Sequence, residues 1–507
     1  MELAQGLALG FAVATTPTNI FFAFVGALVG TFVGIMPGLG ASASIAILLP
    51  LTFGMEPATA IIMLAGVFSG SKYGGAVTSI LMNLPGEGSS VVTCFDGYQL
   101  ALQGRGGPAL GMAAISGFVA GTVGVVGLNL LGPLLASLAM GLGPPEYFAL
   151  TLLGLSLVTS LTGKSLVKGL LATAFGLILA TVGADIMTSA TRLTFGRLEL
   201  LDGIDFVTVS VGLFALGEIL LNVEKQIKFS LIEVPKKLAL LLPSASDFVQ
   251  CTGTWVRSTI IGFLIGALPG TGAAVASFLS YTVAKNISRT PERFGKGAME
   301  GVAAAESADN AAVAGSMAPM LTLGIPGSSA TAMMMGALVM AGVRPGPMML
   351  TEHPEVFWGV VASLYIGNVM LLIINVPMIP LLVNVLRVPY YILYIIIIAI
   401  AAVGVYSVDN SIFDLWMMGI FGVLGYIFKK LDYPLAPIVL ALILGPLVER
   451  ALLQTLVISR GSFAIFLTRP AAAAFLALAL LALFAPWLQQ LWIRRFHRAV
   501  SLAPGDR

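Results

Sequence analysis

Charge is missing from this chain over stretches longer than a bilayer is thick. No Asp, Glu, Lys or Arg occurs from Leu3 to Met55, Pro108 to Pro145, Ala311 to Val343, Val356 to Leu386 or Pro470 to Ile493. Each run exceeds the ~20 apolar residues that span hydrocarbon as a helix. A helix satisfies every backbone donor and acceptor internally, as lipid requires. Of the 507 residues, 58% are hydrophobic and 10% charged, against roughly a quarter charged in a soluble domain. A soluble fold is excluded, and the expectation is an all-α integral membrane protein with about ten to twelve transmembrane helices.

Other classes fall away on the same composition. The 26 Lys and Arg nearly balance 24 Asp and Glu, for a net charge of +2, and nucleic acid needs clustered basic residues. Cys94 and Cys251 imply no disulfide framework. The histidines are His353 and His497, the latter in a basic tail. Neither a His-rich metal site nor a Cys/His nucleophile pair is therefore expected, and the expectation is a non-enzyme without a cofactor. The start, Met1-Glu2-Leu3-Ala4-Gln5, lacks the basic region of a cleavable signal peptide, so insertion by the chain's own helices is expected.

Glycine and proline cluster in four loops: Pro37-Gly38-Leu39-Gly40, Pro85-Gly86-Glu87-Gly88, Pro269-Gly270-Thr271-Gly272 and Pro326-Gly327-Ser328-Ser329. The first and third lie 232 positions apart, an offset that carries Gly30, Gly34, Gly38 and Gly40 onto Gly262, Gly266, Gly270 and Gly272. The second and fourth lie 241 apart, which carries Asn83-Leu84-Pro85-Gly86 onto Gly324-Ile325-Pro326-Gly327. Pro145 and Gly176 find counterparts in Pro389 and Gly422. The expected organisation is a first repeat over 1–222, a connector over 223–252, a second repeat over 253–450, and an extra helix and basic tail over 451–507. Paired broken segments of this kind mark secondary transporters, whose site lies where the breaks meet. The plain alternative is Pro and Gly kinks in spanning helices.

Positive charge suggests how the halves are oriented. The connector carries Lys225, Lys228, Lys236 and Lys237, and the segment after the third loop carries Lys285, Arg289, Arg293 and Lys296. Both belong in the cytoplasm by the positive-inside bias. The uncharged run Ser258 to Ala284 then enters and leaves on one side, as a re-entrant hairpin with arms of ~14 residues, each too short to cross alone. A single kinked helix is the alternative. The first repeat has no Lys or Arg in residues 1–71, so its hairpin is expected to open on the opposite face, giving two inverted repeats.

Broken helices leave backbone N–H groups unpaired with a positive dipole end, which suits a carboxylate. Candidate substrate-binding residues are Gly38, Gly40, Gly86, Gly270, Gly272 and Gly327, where backbone can approach a ligand. The flanking hydroxyls of Ser89, Ser90, Ser328 and Ser329 join them, as does Lys72, an intramembrane charge. Arg105, in Gln103-Gly104-Arg105-Gly106-Gly107-Pro108, is expected in a solvated turn. Glu306, Asp309 and Asn310 share one helical face by spacing and are candidates for cation coupling, by ligation or proton relay; helix-dipole complementation is the alternative.

The chain resembles the large membrane subunit of the tripartite tricarboxylate transporters, the TctA family. The resemblance rests on Gly34-Ile35-Met36-Pro37-Gly38-Leu39-Gly40, Leu48-Leu49-Pro50-Leu51-Thr52-Phe53, Tyr73-Gly74-Gly75, Asn83-Leu84-Pro85-Gly86 and Phe95-Asp96-Gly97-Tyr98. Glu300-Gly301-Val302-Ala303 and Leu323-Gly324-Ile325-Pro326-Gly327-Ser328 add to it. It implies an elevator-type carrier of di- or tricarboxylates in a bacterial inner membrane, driven by sodium or protons. A small four-helix membrane subunit and a periplasmic substrate-binding protein would be its partners. Asn83, within one of these motifs, joins the coupling candidates. Ala305 and Asp309 stand where the family pattern has a proline and an asparagine. An anion channel or membrane scaffold built on the same broken helices is the competing function.

Overall fold

The computed structural model describes residues 3–36, 38–161, 165–185, 189–225, 232, 240–378, 381 and 390–484. Pro37, Lys228, Lys236, Lys237, Pro389, His497 and the end of the expected last helix lie outside them. In chain order the main helices are α1 (Leu3–Ala14), α2 (Pro17–Gly34), α3 (Ala41–Leu48), α4 (Pro57–Met82), α5 (Val91–Leu100) and α6 (Gly106–Ala139). They continue with α7 (Pro144–Leu161), α8 (Leu166–Ala180), α9 (Phe206–Glu224), α10 (Ala245–Gly266), α11 (Gly272–Ile287) and α12 (Met299–Leu323). The last are α13 (Ser329–Met340), α14 (Pro354–Asn375), α15 (Tyr390–Asp409), α16 (Ile412–Lys430), α17 (Ala436–Ile458) and α18 (Pro470–Phe484). One two-residue antiparallel pair, β1 (Gly183–Ala184) with β2 (Thr191–Arg192), interrupts the helices.

Among the described residues, 8 helices are long and apolar enough to cross a membrane, fewer than the expected ten to twelve. Others, such as α3, α8 and α13, are below spanning length; glycine and proline bound α3 and α13. α10 and α12 are long but carry Asp247 and Arg257, and Glu300, Glu306 and Asp309. Charge had hidden them as apolar spans.

The chain forms two compact units, each built from two separate stretches of the sequence: 1–141 with 204–431, and 142–203 with 432–507. In the second, α17 packs on α7 and α8. A Cβ on Gly176 would fall 2.2 Å from the Ile438 carbonyl, so α8 and α17 meet backbone to backbone. Arg192 joins Glu449 at 2.8 Å there.

The first unit is organised by two helix pairs of matching design, α2 on α4 and α10 on α12. A Cβ on Gly30 would lie 2.4 Å from the Val67 carbonyl, and one on Gly262 2.4 Å from the Ala308 carbonyl. From the opposite side, Gly74 would meet Thr31 O at 2.3 Å and Gly315 would meet Phe263 O at 2.3 Å. Small residues at four-residue spacing allow such close helix crossings where lipid supplies no hydrophobic drive. The four positions correspond pairwise at the 232 and 241 offsets. α4 and α12 are buried on all faces, the condition of a helix in the centre of a bundle.

The segment expected to turn at Pro269-Gly270-Thr271-Gly272 consists of two helices, α10 and α11, rather than one kinked helix. They pack on each other and on α12. Gly270 and Gly272 have φ of 83° and 64°, a conformation that glycine adopts without steric cost. The arms have 22 and 16 residues, longer than expected because a capping box between Ser244 and Asp247 starts α10 upstream of the uncharged run.

Candidate functional site: four loops around a buried ion cluster

Two helix ends prepare the site. α4 ends on Asn83 and α12 on Gly324, both left-handed, with φ of 56° and 69°. Past each cap the chain turns back in the same way: Leu84 N–H reaches Thr78 O at 3.4 Å, and Ile325 N–H reaches Pro319 O at 3.2 Å. These six-residue returns satisfy carbonyls a helix end leaves open. They aim the second and fourth loops at the glycine-packed helix pairs. A Cβ on Gly86 would lie 2.7 Å from Gly34 O, and one on Gly327 2.9 Å from Gly266 O.

The four loops converge within the first unit. The Ala41 N–H, at the start of α3, donates to Glu87 Oε2 at 3.1 Å and joins the first loop to the second. Gly270 N–H donates to Gly327 O at 3.1 Å and joins the third to the fourth. The Ser42 and Ser329 hydroxyls meet at 2.5 Å. The corresponding positions, Ala274 and Gly88, also face each other, with Ala274 Cβ 3.8 Å from a Cβ built on Gly88.

A charged cluster lies behind this junction. Lys72 pairs with Glu87 and, at 3.0 Å, with Asp309 Oδ1. The Ser89 hydroxyl bridges Glu87 Oε1 at 2.7 Å and Asp309 Oδ2 at 3.1 Å. Lys72 and Asp309 side chains are 5% and 2% exposed, so the pairing offsets desolvation that neither charge bears cheaply alone. Next to it, Thr93 Oγ1 donates to Glu306 Oε1 at 2.5 Å, and Asn310 Nδ2 to Glu306 O at 3.0 Å. Ser90 receives the Glu87 N–H at 3.1 Å. Ser328 and Thr331 form a capping box on α13.

Lys72, Ser89, Glu306, Asp309 and Asn310 are thus brought together, and Gly38, Gly40, Gly86 and Ser329 line the adjoining cavity. Asn83 is elsewhere: it lines a separate cavity of about 470 Å³ with Gln99, Tyr281 and Lys285. Among the described residues no group of three or more His, Cys, Asp or Glu is arranged to hold a metal ion; the Asp309 carboxylate has an ammonium as its cation. Arg105 is not simply solvated, since its Nη2 lies 3.0 and 2.8 Å from the two Asp247 oxygens. Asp96 accepts the N–H groups of Gly295, Gly297 and Ala298, each at 2.8 Å, and the Tyr281 hydroxyl at 2.9 Å.

A cavity of about 520 Å³ opens beside the cluster, lined by Gly38, Gly40 to Ala43, Pro85 to Gly88 and Ser329, and also by Phe214, Glu218 and Lys429. Glu218 and Lys429 form an ion pair. Sequence reasoning missed both. Lys429 stands beside Lys430 at the end of a helix, where a lysine pair has the pattern of an interfacial anchor, and nothing local signals its partner 211 positions upstream.

Apolar helices of spanning length, interrupted by glycine loops that meet at a buried ion cluster, define a multi-pass helical membrane protein. The profile of the tripartite tricarboxylate transporter TctA family matches residues 20–440, and the chain belongs to that family. It is 46% identical over 481 residues, 95% of each chain, to a protein described as the uncharacterized 52.8 kDa protein in the TAR-I ttuC' 3' region of Agrobacterium vitis. A second A. vitis protein, described as an uncharacterized protein in the TAR-II ttuC' 3' region, is 45% identical over 219 residues, 43% of this chain and 90% of its own. No solved structure matches the chain. The family is one of membrane transporters, not enzymes.

Proposed function

We propose that the chain is the permease subunit of a cation-coupled tripartite system that imports di- or tricarboxylates, or related organic anions, across a bacterial inner membrane. A small four-helix membrane subunit and a periplasmic binding protein complete the system. The convergence of all four glycine loops on one junction beside a cavity carries this reading. Secondary transporters bind substrate where interrupted helices of two repeats meet. The contacts shared at the 232 and 241 offsets support an internal repeat; inversion of the two copies, α2–α3 and α10–α11 as re-entrant hairpins, and an elevator motion of the loop-bearing core complete the proposal.

Backbone N–H groups of the loops and the hydroxyls of Ser89, Ser90, Ser328 and Ser329 receive the substrate's carboxylates in this reading. Lys72 acts mainly through Glu87 and Asp309, which already engage its ammonium. Glu306 and Asp309 couple the cation. One ammonium faces three carboxylates here, those of Glu87, Glu306 and Asp309, and this unequal count supports binding of a sodium ion or a proton in the transport cycle.

The test is uptake of labelled succinate and citrate by vesicles holding the complete system, under separate sodium and proton gradients. Saturable uptake driven by one gradient is expected, with that dependence lost in Glu306→Gln or Asp309→Asn. Non-saturable flux that follows the anion's own gradient would establish the channel instead.

A further inference from the structure

We propose that Lys429 is an anion-binding residue of the cavity, held by Glu218 until a substrate carboxylate replaces it. This inference rests on the organic-anion reading above and adds a residue from outside the four loops. The cavity of about 520 Å³ is within the usual range of small-molecule sites. Its glycine loops offer hydroxyls and helix-start backbone, and Phe214, Glu218 and Lys429 complete the lining, with Glu218 Oε1 3.0 Å from a Cβ built on Gly38.

The two lysines near this cavity differ in what already holds them. Lys72 is matched by two carboxylates and is 5% exposed. Lys429 is matched by Glu218 and keeps 21% of its side chain exposed, with Glu218 at 13%. Its neighbour Lys430 turns away, to Glu224 Oε1 at 2.7 Å and the Tyr426 hydroxyl at 3.0 Å. Consecutive lysines on one helix end thus take different directions, and Lys429 is the one that lines the cavity. A cation at that depth needs a counter-ion when the cavity is empty, and Glu218 is it. An entering di- or tricarboxylate repels Glu218 and offers Lys429 a second carboxylate, so the pair opens as the substrate seats.

The purified chain in detergent tests this by its thermal unfolding midpoint, titrated with citrate and succinate against chloride at matched ionic strength. Wild type should be stabilised by the carboxylates. Lys429→Met should weaken the response by about tenfold, the scale of one charge-assisted hydrogen bond. Glu218→Gln should strengthen it several-fold, because the competing carboxylate is gone. A purely structural ion pair predicts a lower ligand-free midpoint and no gain in the carboxylate response for Glu218→Gln, so that variant decides even if Lys429→Met fails to fold. A wild-type response that Lys429→Met leaves intact overturns the Lys429 assignment alone. No wild-type response beyond chloride overturns both this assignment and the organic-anion site.

Discussion

The second loop and the fourth have one backbone and two chemistries. Each follows a left-handed helix cap, and each presses a glycine against a neighbouring helix, Gly86 on Gly34 and Gly327 on Gly266. Each folds its N–H onto a hydroxyl three residues on: Glu87 to Ser90 at 3.1 Å, Ser328 to Thr331 at 2.9 Å. Side chains then part company. Glu87, Lys72, Ser89 and Thr93 correspond to Ser328, Val313, Ala330 and Met334. In the first half Glu87 places a carboxylate at the start of α3, where a helix end favours negative charge. In the second half Ser328 uses its hydroxyl to cap its own helix. The backbone was therefore fixed by packing, which glycine alone permits at these crossings, while the polar side chains were free to diverge. One loop carries an anion matched by Lys72 of α4; the other has neutral hydroxyls.

Removing that counter-cation should give the largest effect. Lys72→Met leaves Glu87 and Asp309 buried without an ammonium, at a cost of about 3–5 kcal/mol. The corresponding Val313→Ala removes only apolar contact, about 1–2 kcal/mol. Thermal unfolding in detergent measures both. Equal losses would mean the ion cluster contributes no more than packing, and the contrast between the loops would be cosmetic.

The shared backbone makes the converse prediction. Gly30→Ala and Gly262→Ala each force a methyl against a carbonyl that stands 2.4 Å from the built Cβ. Each should cost about 1–3 kcal/mol as overpacking, and the two should agree to within about 1 kcal/mol. A loss confined to one half would break the equivalence of the helix pairs.

What the sequence made legible follows from the same division. Gly30, Gly34, Gly262 and Gly266 are visible because a close helix crossing demands a residue type at a fixed spacing. The charged partners obey no such spacing. Lys72 and Asp309 are 237 positions apart, Glu218 and Lys429 are 211 apart, and Arg105 and Asp247 are 142 apart. A pair of that kind exists only once the helices have packed. Lys72 was legible as an intramembrane charge, but its two carboxylates were not, and Asn83 shares a motif with the second loop while its side chain lines another cavity. The role of Asp96 was hidden for the same reason: three N–H groups from 295 to 298 converge on it only after that loop has folded over α5.

The smallest expected effect lies at Thr93, whose counterpart Met334 has no hydroxyl. Thr93 Oγ1 donates to Glu306 Oε1 at 2.5 Å, joining α5 of the first half to α12 of the second. Such hydrogen bonds in membrane bundles average about 0.6 kcal/mol and reach about 1.7. Thr93→Val keeps the side chain's shape, so its loss of stability should fall in that range. Lost packing and a lost hydrogen bond can give the same number, and a double-mutant cycle with Glu306→Gln separates them. If the bond matters, Thr93→Val should cost less in the Glu306→Gln background than in wild type, because that substitution alters the group that accepts the Thr93 hydroxyl. Strict additivity would show that the two side chains are neighbours without energetic linkage. Thr93 would then differ from Met334 in packing alone, and the chemical asymmetry between the halves would rest on Lys72, Glu87, Ser89, Glu306 and Asp309.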